Sequence, residues 1–550
     1  MSKKVLRIAS LTVTCFMVLS LFAGCGGTNT ANETTATAKT NETAKTTATA
    51  APAENEPVTI DWLAYVNNAQ PDPESEIIKQ QEEWYNIKFN FWFVDEKQYD
   101  EMLGVKFASG EMPDVLRIPN TSVIEKYVKM GILTPITDDM LEKIPVLVKQ
   151  IDGAGGKDAT LDAMYDGKLY GIKYTSLNGT YPNAVVWRTD WLKNVGINKI
   201  PETITEFEDA MYKFRNNDPD KNGKKDTYGM SNTAFYMVFG AFGQIPMGSL
   251  LPTGGLWWTK KDNKYVYSAT QPEMKEALTL AQKWYKDGLI DPEYITGENT
   301  GGYWALTQAF SNGKIGVTGS GAIYHWLPPL VPGGSGTQCY EDFIKVNPGA
   351  KQGETFTLGK APVGPKGISG TSQGGAVVSA AVAFTTKIAK EPGKIDAVLN
   401  MWNAISTDFE KYMYSAYGVK DKHYVIDPVS GQVSRTKDYA AGDATTRAGA
   451  LVTTACVENF EFAKKTMPLR YEFMDKNKGT GHTNYLIPAT EAKGKYESDL
   501  NRMAAEAYNK IISGELPVDY FDEFVKTFYE KGGAEIEKQV NEMVAKLSGK

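Results

Sequence analysis

Between Val58 and Ile118 short branched or aromatic runs alternate with segments of helical pattern, and this alternation limits the folds open to the chain. V-T-I-D-W-L-A-Y (Val58 to Tyr65), I-K-F-N-F-W-F (Ile87 to Phe93) and P-D-V-L-R-I (Pro113 to Ile118) have the content of strands. Glu74 to Trp84 and Asp100 to Ala108 carry helical spacing, the second ended by Gly110. Strands and helices in turn imply an α/β fold, a largely parallel sheet covered by helices, with ligands at the carboxyl ends of strands. Further strands are expected at Leu169 to Tyr174, Ala184 to Arg188, Gly313 to Gly319 and Ala376 to Phe384. Helices are expected after Trp191 and over Thr203 to Arg215, Pro272 to Gly288, Gly393 to Ile405 and most of Glu491 to Leu547. A chain of 550 residues is long enough for its core to divide into two lobes.

The first 24 residues have a separate logic. Lys3, Lys4 and Arg7 precede an uncharged, mostly apolar run, Ile8 to Ala23, too short for a spanning helix and right for a secretory leader. The run ends in L-F-A-G-C, Leu21 to Cys25, which resembles the bacterial lipobox with Phe22 where Leu is usual. The resemblance implies cleavage before Cys25 and acylation (palmitate among the chains) of that residue. Residues 25–56 then form a Thr-, Ala- and Asn-rich tether with too little apolar surface to fold. The expected location is the outer face of a bacterial membrane, held there by lipid.

Charge excludes one class of partner. The net charge is −7, and losing three cations with the leader takes it to −10. Without a basic block, nucleic acid has nothing to bind. Three histidines in the whole chain give little support to imidazole catalysis or histidine metal sites. Once Cys15 leaves and Cys25 is acylated, Cys339 and Cys456 remain, free to pair or not.

Six pieces in order carry a family resemblance: A-S-G-E-M-P-D-V (Ala108 to Val115), G-K-L-Y-G-I (Gly167 to Ile172), V-V-W-R-T-D-W-L (Val185 to Leu192), P-E-T-I-T-E-F (Pro201 to Phe207), Y-K-D-G-L-I-D-P-E-Y (Tyr285 to Tyr294) and G-K-I-G-V (Gly313 to Val317). From about residue 57 onward the chain resembles the extracellular solute-binding lipoproteins of carbohydrate-type ABC transporters. The resemblance implies a two-lobed periplasmic-binding-protein-like fold (class II) with a hinge. It places residues 57–176 and 372–408 in one lobe, and 177–371 and 409–550 in the other. Crossings are expected near Ser176, Ser372 and Asp408. It implies a monomer that captures a small solute, a carbohydrate above all, and passes it to a membrane permease. An anchored glycan-degrading enzyme using two carboxylates is the competing class, and a solute sensor for a membrane kinase is another.

Sugars present apolar faces and hydroxyl rims, so aromatic rings at strand ends or beside glycines are the candidate platforms. Trp62 and Tyr65 end the first strand, Trp187 and Arg188 end the strand opening the second lobe, and Trp257 and Trp258 follow a glycine pair. Tyr324 and Trp326 follow G-S-G, where maltose-binding relatives place a stacking tryptophan. Asp114 and Asn120 could join Arg188 on solute hydroxyls, whereas Trp84, Trp191, Trp284 and Trp402 have the spacing of core residues. D-P-D-K-N-G-K-K-D sets Asp218, Asp220, Asn222 and Asp226 at positions one, three, five and nine of an EF-hand-type loop, with Gly223 at six. Lys224 would add its carbonyl to a structural Ca²⁺, although Gly229 stands where the usual bidentate Glu would be. G-T-S-Q-G (Gly370 to Gly374) matches a hydrolase pattern, and His423 and His482 lie downstream, but the expected strand-before, helix-after context is reversed.

Overall fold

A computed structural model describes residues 56–251, 254–296, 303–332 and 334–547. The leader, Cys25 and the tether lie outside the described residues. No helix among the described residues is long and apolar enough to cross a membrane.

The first lobe is built on a five-stranded sheet in the order Ile87–Phe91, Val58–Leu63, Val115–Ile118, Val377–Phe384, Ile172–Thr175. The first three strands are parallel, as their intervening helices Glu76–Tyr85 and Tyr99–Ala108 require. Val377–Phe384 runs antiparallel to both neighbours, so the sheet is mixed and not largely parallel. That strand returns from the second lobe and enters at the hinge end, which reverses its direction.

Both faces are covered, and period-two alternation decides which residue goes where. Val115, Val382 and Phe384 pack on one face with Trp62 and Trp402, while Leu116, Ile118 and Ala383 pack on the other with Leu103 and Phe107. The second lobe has a three-stranded antiparallel sheet, Val317–Thr318, Val185–Arg188 and Phe356–Gly359. Trp187 faces the helices Ile204–Asn216, Pro272–Lys286 and Glu491–Ser513, and Val186 faces Phe310, Trp326 and Phe343. A hairpin, Trp258–Lys261 and Lys264–Tyr267, extends this lobe against the helix Ala534–Leu547.

Core membership changes lobe between Ile172 and Leu177, between Ala361 and Val382, and again between Val457 and Ala463. The expected third crossing at Asp408 is corrected by the packing. Tyr412, Met413, Tyr424, Val433 and Val452 share a core with Ile60 and Trp62 of the first lobe. Asp408 is instead the N-cap of Phe409–Tyr417, its carboxylate accepting from Glu410 N and Lys411 N, so it turns the chain within the lobe. The crossings are tied together by main-chain and side-chain hydrogen bonds. Ser176 N donates to Ala376 O at 2.8 Å, and Leu177 N to the Glu458 carboxylate at 3.3 Å. The Gln150 side chain donates to Thr175 Oγ1 and Glu458 O and accepts from Phe460 N. A Cβ on Gly179 would lie 2.0 Å from the carbonyl oxygen of Gly375, so this close approach requires glycine.

Cys339 is buried in the second lobe and Cys456 in the first, each free. Burial pushes both thiols up to about 12.

Candidate functional site

Two adjoining cavities lie between the lobes, of about 220 Å³ and about 490 Å³. They share Asn484, Tyr485 and Leu486, so this short segment divides one continuous cleft. The segment is held by the hairpin: Trp258 N donates to Asn484 Oδ1 at 2.7 Å, and Tyr485 N to Trp258 O at 3.4 Å. Tyr485 is 38 % exposed, an aromatic face left open beside both cavities.

The first lobe contributes Asn120, Thr121, Ser122, Asp162 and Ser379 to the smaller cavity. Asp162 accepts from Thr121 Oγ1 at 2.5 Å, Lys173 Nζ at 2.6 Å and Ser379 Oγ at 3.2 Å. Removal from water holds the Lys173 ammonium below its ordinary range, the Asp162 carboxylate pulling it back up. A buried pair of this kind is costly to leave half-made, and here the hydroxyls complete the carboxylate's hydrogen bonding. The second lobe answers with Trp258, Thr490, Lys493 and Glu497. Thr490 caps the helix Glu491–Ser513 by accepting from Lys493 N at 3.2 Å, so that helix starts at the cavity wall. Lys493 pairs with Glu497 at 3.5 Å, and burial raises the Glu497 carboxyl. Asp158, Thr180, Gln373, Lys478 and Thr483 line the larger cavity. Hydroxyls, amides and charged heads around one open ring can grip a polyol.

Of the eight expected platform residues, Trp258 alone lies on a cavity wall. Trp62, Trp187 and Trp326 are fully buried in core clusters. Trp62 Nε1 donates to Val452 O and Trp326 Nε1 to Ser320 O, because helices and loops cover both faces of each sheet. Tyr65 is likewise buried, its hydroxyl donating to Trp92 O. Arg188 is spent on Asp190 at 2.6 Å and lies over the Trp191 ring. Trp257 packs half-buried against the second lobe's core, and Tyr324 lies half-buried under the Arg470 guanidinium. Asn120 reaches the cleft, whereas Asp114 accepts from Asp61 N and faces Lys387 and Lys394 inside the first lobe. Trp84, expected in the core, is 39 % exposed against Tyr414. Tyr485, Asn484, Lys493 and Asp162 carried no signal in the sequence. Their place depends on long-range hydrogen bonds such as that from Trp258 N to Asn484 Oδ1, which spans 226 positions.

The loop Asp218 to Asp226 folds around Asn222, whose side-chain amide donates to Asp220 at 2.8 Å and Asp226 at 3.2 Å. Asp218 accepts from Asn222 N and Gly223 N, and Asp218, Lys221 and Gly223 take positive φ. Burial, and then the neighbouring Asp218 and Asp226, raise the Asp220 carboxyl. The carboxylates already converge on a donor, so the residues fit a cation that would take the amide's place. No set of three or more His, Cys, Asp or Glu is prearranged as a metal site among the described residues. In G-T-S-Q-G, Ser372 lies on the strand Thr371–Gln373 opposite His482, and a second strand follows. The His482 ring is engaged with Gly240 O, so the sharp strand-to-helix turn of a hydrolase is not what this motif forms.

Comparison with known proteins agrees with this geometry. The family described as bacterial extracellular solute-binding protein matches residues 76–399. The polygalacturonan/rhamnogalacturonan-binding protein YtcQ of Bacillus subtilis is 24 % identical over 545 residues, 96 % of this chain and 97 % of YtcQ. Lipoprotein LipO of the same organism is 30 % identical over 271 residues, 46 % of this chain and 48 % of LipO. The solved structure of the Streptococcus pneumoniae ABC-transporter substrate-binding protein FusA with kestose superposes with a TM-score of 0.60 at 17 % identity, covering 90 % of this chain and all of that one. An EF-hand mutant of FusA has also been solved, with fructo-nystose, and superposes with the same TM-score at 16 % identity over 90 % of this chain and all of that one. The two-lobed fold, the cleft between the lobes and the matched span together place the chain among the bacterial extracellular solute-binding proteins.

Proposed function

We propose that this protein captures an oligosaccharide in the cleft divided by Tyr485 and delivers it to the permease of an ABC transporter. The observation that carries the reading is the pair of adjoining cavities with a shared open aromatic ring and a rim of hydroxyls, amides, carboxylates and ammonium groups. A ring stacked on Tyr485 leaves room for further sugar units on both sides, which suits an oligomer better than a single sugar. YtcQ and FusA are named for carbohydrate binding and transport, which supports the class. That the sugars are uronates is a narrower reading, favoured by the name of YtcQ. Capture needs no bond chemistry, since closing of the lobes on the solute supplies the signal a permease reads.

The same reading includes a lipid anchor on Cys25, supported by the L-F-A-G-C pattern and the polar tether, and a monomeric body. It also includes a structural Ca²⁺ held by the side chains of Asp218, Asp220, Asn222 and Asp226 with the Lys224 carbonyl. Such an ion would neutralise the charge of the loop away from the cleft. The test is calorimetry of the mature chain against galacturonate oligomers, fructans and neutral glucans, with mass spectrometry of each sugar afterwards. Binding with every sugar recovered intact is the expected result. A shortened sugar, or heat from none of the panel, sinks the reading.

A further inference from the structure

The lobes are also joined by a different set of groups around Asp158, which shares the larger cavity with Thr180 and the crossing segment 373–377. Asp158, in the turn of 3-10 helix Gly156–Ala163 of the first lobe, receives Tyr265 Oη at 2.5 Å and Lys260 Nζ at 3.3 Å. Both partners belong to the hairpin of the second lobe, whose backbone is bonded to Asn541 of the last helix. Three residues beyond Asp158, Leu161 is buried in the second lobe's own core cluster, against which Leu547 also packs. Leu547 lines an apolar pocket with Leu161, Met164 and Ile144, and Lys546 reaches Asp166 at 3.3 Å. Thus the last turn of the chain and the hairpin together seat one short helix of the facing lobe.

These contacts differ in strength. Lys546 and Asp166 are mostly exposed, and such a pair contributes little. Asp158 and Lys260 are each only about one-third exposed, at 35 % and 34 %, and the phenol–carboxylate bond is charge-assisted, so Asp158 holds the larger share. Asp158 also lines the larger cavity, and the Tyr265 ring touches Tyr485 edge-on at 5.5 Å and 81°. The ring expected to carry solute therefore leans on the residue that grips Asp158.

We infer that Asp158 is the closure-positioning residue of this protein: its bonds to Tyr265 and Lys260 form a clasp that holds the lobes together, and Tyr485 couples cleft occupancy to that clasp. The coupling rests on the capture reading above, whereas the clasp itself does not. In mechanical terms the hinge sets the path of closing, and the clasp sets how long the closed state lasts.

The experiment separates the two. Spin labels at Glu101→Cys and Lys538→Cys, one on each lobe, report the distance between lobes in the full mature chain without sugar. The buried native thiols do not compete for label. Relative to the unaltered protein, Lys260→Arg is expected to keep the distance distribution, and Asp158→Asn with Tyr265→Phe to shift it toward longer distances. The melting temperature of the double variant should stay within a few degrees, since Asp158 is partly exposed. A distance distribution that superimposes on the unaltered protein overturns the clasp. Where galacturonate trimer or kestose binds, the double variant is expected to release it about tenfold faster with an unchanged association rate, because the lost bonds exist only in the closed state. Faster release without lobe separation would also overturn it, and a sugar panel without a binder would sink the capture reading while leaving the distance result to judge the clasp.

Discussion

At the hinge the lobes meet chiefly through main chain, Ser176 N on Ala376 O with Gly179 pressed on Gly375, while Leu177 N adds a bond to the Glu458 carboxylate. Around Asp158 they meet through side chains, Tyr265 and Lys260 on Asp158 and Lys546 on Asp166. Main-chain bonds between crossing strands survive small rotations, because both strands turn together. Side-chain bonds across a gap are lost once it opens by a few ångströms. The contrast teaches which contacts define the fold and which define its state.

The sharpest way to break that contrast is at the hinge. Gly179→Val puts a branched side chain where even Cβ would lie 2.0 Å from a carbonyl oxygen. We expect a loss of about 4 kcal/mol or failure to fold, read by chemical denaturation. Wild-type stability would mean that these strands are not held together as described.

Glu458 offers a finer probe of the same place. Burial raises its carboxyl to about 7, with Arg470 and the Leu177 N–H pulling it down, and the Tyr412 and Tyr471 phenols face it. The folded state therefore holds its proton more tightly than the unfolded chain, where the group titrates near 4.5. The stability this confers is full below about 4.5 and is lost as pH rises through about 7, roughly 3 kcal/mol in all. Glu458→Gln should flatten that slope in denaturation curves from pH 4 to pH 8. An unchanged slope would place the carboxylate in water.

On the cleft side the expected effects are smaller. Tyr485→Ala should weaken sugar binding about tenfold, roughly 1.4 kcal/mol, with the melting temperature unmoved. Equal affinity in calorimetry would remove Tyr485 from the site. Asp220→Ala tests a region belonging to neither side. At a few-fold excess of Ca²⁺ over its Kd the ion should add about 1 kcal/mol, abolished by EDTA and by this substitution. A calcium-independent melting curve for the unaltered protein would dismiss the loop as a metal site.

Much of the fold was legible because its signals are local. The strands at 58–63, 87–91 and 115–118, the capped helix Ile204–Asn216 and the amphipathic helix Pro272–Lys286 appear within a residue or two of where pattern and caps put them. The cleft was not legible, for a reason seen in Trp62 and Tyr485. Both are aromatic, but one is covered by Trp402 and bonded to Val452 O, while the other is held open by a segment tied to Trp258. Neither fate is written in neighbouring residues. The third crossing escaped in the same way, since Asp408 looks like a break between lobes and is only a cap between two helices of one.

The two leftover thiols have a bearing on how such a molecule moves. Cys339 and Cys456 are each walled into a different lobe and are too basic to ionise at neutral pH. Each therefore behaves as a small apolar filler, inert to oxidants in the surroundings. In the folded protein neither sulfur can reach the other, so no covalent bridge ties one lobe to its neighbour and their relative rotation is limited by non-covalent contacts.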